Sequence, residues 1–193
     1  MSVWRLAAIG AVAGITAAAS GGAQAETYGQ NRDQLGLVLE TDAEIGGDNV
    51  VKVFYTNGDT QNIKAGQGVT LAAGAHYKPA GFPIDFAATA GYKFVTTAAD
   101  NTDLRIERVV IKATGTYALP YNLWAAAGPV WHVGTKLKGD GFVPNIDFGD
   151  AVGATVGFGW RWIGISYTNI HYTSPYTGRI DGSNVGVSLM YKF

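Results

Sequence analysis

Apolar and polar residues alternate along most of the chain, with the period of two that sends successive side chains to opposite faces of a β-strand. In residues 35–44, leucines occupy the first three odd positions and carboxylates occupy the last three even ones. Similar alternation recurs in residues 69–78, 84–94, 123–134, 152–161 and 184–193, and less regularly in 104–117 and 163–173. These segments predict eight antiparallel strands in one all-β domain.

The connections between the predicted strands alternate in length. Those at 78–82, 118–121 and 160–163 are tight, whereas those at 46–65, 95–103, 138–147 and 173–182 are longer and polar. An even number of strands with short turns at one end and long loops at the other is typical of a transmembrane β-barrel with up-and-down topology.

The first long connection contains a hairpin signal. Residues 50–56 and 59–63 alternate around Asn57-Gly58, which predicts a hairpin that extends the first two strands outward. Counting this hairpin as two further spanning strands would give ten. Those two would be shorter than the roughly 9–11 residues that a tilted crossing needs.

Two irregularities are expected within the strands. Leu104 and Ile106 are out of phase with Val109, so that a bulge is predicted near Glu107-Arg108. Pro129 lies inside a strand pattern and has no N–H to donate, which predicts a bulge or an unpaired position there.

The two termini support an exported membrane protein. Arg5, an apolar run over residues 6–19 and the sequence Ala23-Gln24-Ala25 predict a secretory signal peptide over residues 1–25 that is cleaved off. The apolar run is shorter than the roughly 20 residues of a spanning helix. Residues 26–193 then form the barrel, and its last alternating strand ends on the aromatic Phe193.

Composition narrows the possible functions. The chain has no cysteine, which excludes disulfides and thiolate metal sites, and its formal net charge of −1 gives no field that attracts nucleic acid. No spacing of ligands predicts a metal site, and no cofactor is expected. Many polar-phase positions are Gly or Ala, which suits the narrow lumen of a small barrel.

On these residues the chain resembles the small outer-membrane β-barrel proteins of Gram-negative bacteria, the OmpA/OmpX-type barrels in a broad sense. The terminal Tyr191-Lys192-Phe193 is similar to the signature that the barrel-assembly machinery recognises. The resemblance implies a location in the bacterial cell outer membrane, contacts with outer-membrane lipid and lipopolysaccharide, and an interaction with the assembly machinery through Phe193. It fixes no function.

Aromatic residues cluster near the tight turns. They predict a girdle at the periplasmic membrane boundary, formed by Tyr77, Tyr117, Tyr121, Trp160, Trp162, Tyr191 and Phe193.

Charged residues concentrate on the phase that faces the lumen. The predicted lumen set is Glu40, Asp42, Glu44, Lys93, Arg105, Arg108, Lys112, Lys136, Arg161 and Lys192. A network of salt bridges and water that closes the lumen is one interpretation, since buried charges must be paired or hydrated. A gated, porin-like path for small solutes is the alternative. His76 and His132 are expected to fill the lumen.

Residues 163–174 resemble part of the outer-membrane lipid A deacylase family. That resemblance implies a general base at His171, a nucleophile's position at Thr173, and an orienting group near Asn184. The family has Ser where this chain has Thr173, and Glu where it has Asn184 or a neighbour, and both departures weaken the chemistry.

The sequence therefore predicts an integral outer-membrane barrel with a structural or surface-interaction role and no catalysis. An extracellular ligand of the loops is possible, for example at Phe142 and Ile146 of the connection 139–146. The alternatives are a deacylase-like esterase at the outer rim, acting through His171 and Thr173, and a narrow conduit for small solutes.

Overall fold

The structure is a computed structural model that describes residues 32–54, 60–99, 102–139, 145–174, 176 and 178–193. The predicted signal peptide, the Asn57-Gly58 turn and Phe142 lie outside the described residues. Among the described residues, no helix is long and apolar enough to cross a membrane.

Eleven β-strands make up the described part of the chain, together with one short 3-10 turn at Pro120–Asn122. The strands are β1 (Gln34–Ile45), β2 (Asn49–Phe54), β3 (Thr60–Lys64), β4 (Gly68–Lys78), β5 (Ile84–Ala99), β6 (Thr102–Leu119), β7 (Leu123–Lys138), β8 (Ile146–Trp160), β9 (Ile163–Ser174), β10 (Gly178–Asp181) and β11 (Asn184–Lys192).

Eight of these strands form a closed antiparallel ring in the order β1-β4-β5-β6-β7-β8-β9-β11, with β11 returning to β1. Strands β2 and β3 form a separate hairpin between β1 and β4, as predicted. Strand β10 pairs with the last residues of β9 and leads directly into β11. The predicted all-β, up-and-down antiparallel architecture is confirmed.

The two ends of the ring differ, as the connection lengths predicted. The turn end carries the tight connections β4–β5, β6–β7 and β8–β9, and the loop end carries the longer β1–β4, β7–β8 and β9–β11 connections. The long connection predicted at 95–103 is wrong, because β5 continues to Ala99 and β6 begins at Thr102, and these two residues pair with each other. Tyr121, Asn122 and Arg161 adopt left-handed backbone conformations in the tight turns, with φ of 64°, 60° and 51°. Asp33 accepts hydrogen bonds from the Ala80 N–H and the Tyr77 hydroxyl, which lower the pKa of its carboxyl group and tie the start of β1 to the β4–β5 turn.

An irregularity lies where the bulge was predicted, because the β6–β7 register shifts between Glu107 and Val109. The additional residue is on β7, between Val133 and Lys136, and not on β6. Leu104 and Ile106 point inward and are buried, in unbroken alternation with the rest of β6. The ladder between β6 and β7 is also interrupted across Gly128 and Pro129, which confirms the unpaired position predicted for the proline.

Glycines on the inner face make room for one large side chain at the turn end. A Cβ atom added to Gly159 or Gly164 would come within 2.4 Å or 2.5 Å of the Trp124 indole. The indole N–H donates to the Arg161 carbonyl at 2.9 Å, which holds the ring across the lumen. Small inward residues therefore accommodate a tryptophan that fills this part of the barrel.

Candidate functional site

An apolar belt surrounds the outside of the ring from the turn end to the level of Val109. Leu35, Leu37 and Leu39 on β1 are 79%, 66% and 50% exposed, and every other ring strand contributes similar side chains. Exposed members of the belt include Leu71, Phe86, Tyr92, Ile111, Val133, Val152, Val156, Phe158, Ile163, Ile165, Tyr167, Val185, Val187 and Leu189. Soluble monomers rarely expose a continuous apolar surface of this extent.

Beyond the belt, toward the loop end, the polarity of the wall reverses. Outward side chains become charged, as at Arg105, Lys136 and Asp150, while the inward ones become apolar. The buried side chains here form one cluster, which we call the loop-end core. It consists of Ile63, Ala65, Leu104, Ile106, Val110, Val130, Leu137, Phe148, Ala151, Ile170 and Tyr172. The loop end thus has apolar residues inside and charged residues outside, as a protein in water does. The belt region has apolar residues outside.

Inside the belt, a cation and two carboxylates cross the lumen. The Lys112 Nζ lies 2.6 Å from Asp42 Oδ2 and 3.1 Å from Glu40 Oε1, and all three residues are buried. The Thr89 hydroxyl donates a hydrogen bond to Glu40. One lysine from β6 is therefore bonded to two acidic residues of β1, and two strands, β4 and β5, lie between β6 and β1 in the ring.

A second set of charges lies nearer the loop end. Lys93 pairs with Glu44 at 2.8 Å, and Thr70 donates to the same carboxylate. We call Glu40, Asp42, Glu44, Lys93, Arg108 and Lys112 together the lumen network. It contains three acidic and three basic residues, all buried.

The lumen network also holds the turn between β3 and β4. Lys93 donates to the Gly66 carbonyl at 2.8 Å, and Arg108 donates to the carbonyls of Ala65 and Gln67 at 2.8 Å and 3.1 Å. Cation-to-carbonyl bonds of this kind satisfy both the buried charge and the turn's backbone. The turn therefore seals the lumen network from the loop end.

Two of the three histidines lie in the lumen, as expected. His132 shares a hydrogen bond with the Tyr172 hydroxyl in the loop-end core. At the turn end, Asp85 lies 3.1 Å from His76 Nδ1 and 2.7 Å from Lys192 Nζ. Within the described residues, no group of His, Asp or Glu side chains is arranged to hold a metal ion.

Three residues predicted to lie in the lumen do not. Arg105 and Lys136 point outward with side chains 49% and 53% exposed, because both lie beyond the belt and the extra residue on β7 changes the phase at Lys136. Arg161 is exposed in the β8–β9 turn, with its guanidinium 4.7 Å from the Trp160 ring centroid. The other seven members of the predicted set point inward.

The seven aromatic residues predicted to form the girdle are all exposed, and all are close to the turn end. They are Tyr77, Tyr117, Tyr121, Trp160, Trp162, Tyr191 and Phe193.

Near the predicted esterase residues, the structure shows a pair, His171 and Asp181, that the sequence analysis did not identify. His171 and Thr173 lie on the outer face of β9, but Asn184 points inward, is 2% exposed and cannot reach them. Asp181 is the register partner of His171, with its Oδ1 3.8 Å from His171 Nε2. Hydrogen bonds from Ser183 lower the pKa of Asp181, which keeps this carboxylate charged beside the imidazole.

Comparison with solved structures gives weak matches that include two structures of one protein. No family model and no curated protein matches the chain. Ail, the attachment invasion locus protein of Yersinia pestis, was solved in complex with the heparin analogue sucrose octasulfate, and that structure matches at 11% identity with a TM-score of 0.39. A second Ail structure matches at 10% identity with a TM-score of 0.41. Each match covers 83% of this chain and 99% of the other chain, and at these TM-scores neither bears on function.

We predict that Lys112→Met destabilises the barrel by about 3–5 kcal/mol, since it leaves Glu40 and Asp42 buried without their cation. Lys136→Met is the matched control, because within the described residues Lys136 pairs with the exposed Asp147, at a distance of 3.9 Å. It should cost about 1 kcal/mol or less. Denaturant unfolding of refolded protein, followed by tryptophan fluorescence, measures both. Equal effects of the two substitutions would contradict the importance of the lumen network.

Proposed function

We propose that this chain is an integral outer-membrane β-barrel with a structural or surface-interaction role. The observation that carries the proposal is the reversal of polarity along the barrel wall. An apolar belt outside a charged lumen is stable where the surroundings are lipid. The charged exterior and apolar interior beyond Val109 are stable where the surroundings are water.

The hydrogen bonding of the ring supports the same proposal. Each of the eight ring strands pairs with a neighbour on both sides, so the ring has no open edge. Such closure is what a sheet requires in hydrocarbon, where water cannot satisfy backbone groups. The short turns then face the periplasm and the loop end faces outward, as in bacterial barrels. The cleaved signal peptide and recognition of Phe193 by the assembly machinery belong to this proposal.

The sealed lumen favours a structural or interaction role over transport. The lumen network, the turn 65–67 and the loop-end core occupy the interior in succession from the belt outward. Outside the membrane, the hairpin β2–β3 and the charged exterior of the loop end offer a surface to lipopolysaccharide or an extracellular ligand.

We expect Val156→Arg to impair insertion, because Val156 lies on the outer face of β8 between Trp160 and Asp150 and is 52% exposed. An arginine near the bilayer midplane of a barrel costs about 2–4 kcal/mol. Tyr176→Arg, at an exposed position of the loop end, is the control and should insert normally. Folding into phosphatidylcholine vesicles is measured by heat-modifiable migration on gels. Unimpaired folding of Val156→Arg, or a water-soluble monomer without lipid, would refute the proposed location.

The sealed lumen predicts no unitary conductance from wild-type protein in planar bilayers. Replacing Lys93 and Arg108 together by alanine removes the cations that hold the turn 65–67, and this variant should show channel openings. Steady unitary currents from the wild type would instead support the conduit for small solutes.

A deacylase-like esterase remains the second candidate, and the contact between Asp181 and His171 favours it. This carboxylate is placed where it could orient the imidazole and stabilise its charged form, a role that Asn184 could not fill. His171 would then act as the base for the Thr173 hydroxyl, on the outer face of β9 and beyond Tyr167 of the belt.

The esterase predicts that lipid A incubated with refolded protein loses an acyl chain, and that His171→Ala and Asp181→Asn both suppress the loss. Arg179→Gln, on the same rim, serves as a control for the change of charge. Mass spectrometry of the lipid measures the outcome. Unchanged lipid A with the wild type would eliminate this candidate and leave the non-catalytic barrel.

A further inference from the structure

A cluster of cations lies on the outer face of β6 and β7, just beyond the apolar belt. We call Arg105, Lys136 and Lys138, together with Glu107, the basic patch. The three cationic side chains are 49%, 53% and 53% exposed, so they are available to a ligand. The additional residue on β7 is what turns both lysines outward.

The strand register holds two of these cations side by side. Arg105 is the direct cross-strand partner of Lys138, and Glu107 is the partner of Lys136. Like charges directly opposite each other on a sheet are destabilising. Glu107 contacts both side chains and lessens their repulsion, and a further anion bound between the two cations would lessen it more.

Glu107 only partly neutralises the patch. Its carboxylate lies 3.4 Å from Arg105 Nε, also pairs with Lys138, and accepts a hydrogen bond of 2.6 Å from the Tyr92 hydroxyl. The basic patch therefore holds three cationic side chains against the one carboxylate of Glu107. Within the part of the chain that the structure describes, the ion pair of Lys136 is a distant one, with Asp147 at 3.9 Å.

The position of the basic patch relative to the belt specifies the kind of anion. In the β6–β7 register, the pair Glu107–Lys136 is followed toward the turn end by Val109–Val133 and then by Ile111–Trp131, all on the outer face. A lipid whose acyl chains lie along this apolar surface would place its headgroup at the cations. Guanidinium and ammonium groups are suited to phosphate oxygens.

From this arrangement we infer that the basic patch binds the phosphate group of an anionic lipid in the outer leaflet, with Arg105 and Lys138 as the principal ligands. The inference rests on the proposed membrane location and adds a specific lipid site to it. Glu107 positions the two cations in the unliganded barrel and competes with the phosphate for them.

The test uses full-length mature protein refolded into phosphatidylcholine nanodiscs that contain a small fraction of bisphosphorylated lipid A. The double variant Arg105→Gln/Lys138→Gln should bind this lipid about tenfold more weakly than the wild type, measured by native mass spectrometry over a range of lipid fractions. The double variant Lys52→Gln/Arg179→Gln removes two exposed charges elsewhere and should bind like the wild type. Glu107→Gln should bind a few-fold more tightly because the competing carboxylate is gone.

A structural role alone would not produce this pattern, since Glu107→Gln would not tighten binding. Equal binding by the wild type and the Arg105→Gln/Lys138→Gln variant would overturn the inference, as would an equal loss in the control double variant. Inorganic phosphate at millimolar concentration should not displace the lipid. Displacement would overturn the lipid assignment and identify a site for free anions.

Failure of this site is distinguishable from failure of the proposed function. Heat-modifiable migration of every variant reports whether the barrel is folded in lipid, independently of which lipid it binds. A folded, membrane-embedded barrel without preference for phosphorylated lipid would overturn the basic patch alone. A protein that does not enter the nanodisc would overturn the membrane location itself.

Discussion

The closed ring of backbone hydrogen bonds is the constraint on which the rest of the structure depends. Because each ring strand is paired on both sides, the backbone groups of the wall do not depend on water for hydrogen bonds, and either face can carry apolar or polar side chains. In the belt region, apolar side chains lie outside and charged ones lie inside. The inner charges must then satisfy one another, which is why Lys112 pairs with both Glu40 and Asp42 across the lumen.

The reversal of polarity explains which predictions succeeded. Simple alternation identified the ring strands, and turn chemistry identified the tight turns, because both are local properties of the sequence. It also placed Glu40, Asp42 and Lys112 correctly, since these lie within the belt, where the polar phase faces inward.

The same reversal explains the errors. On β6, Leu104 and Ile106 were out of phase with Val109 because the wall changes polarity there. The irregularity at this level comes from an additional residue on β7, which the phase of β6 does not indicate. On β7, Val133 and Leu137 are both apolar and both at odd-numbered positions, so the sequence looks like one uninterrupted alternation. The additional residue between them places Val133 on the outer face and Leu137 on the inner face, and the reversal of polarity is why both are apolar. Asp181 was missed for a related reason, since only the cross-strand register brings it to His171. A positive φ of 63° at Gly134 marks the β7 irregularity in the structure, but a single glycine is a weak signal in a glycine-rich chain.

The additional residue on β7 has an evolutionary consequence. Removing or shifting a single insertion near Gly134 would exchange the inner and outer faces of the strand from there to its end, while the register below Val133 would be untouched. One-residue insertions or deletions can therefore change which side chains the loop end exposes, while the apolar belt stays as it is.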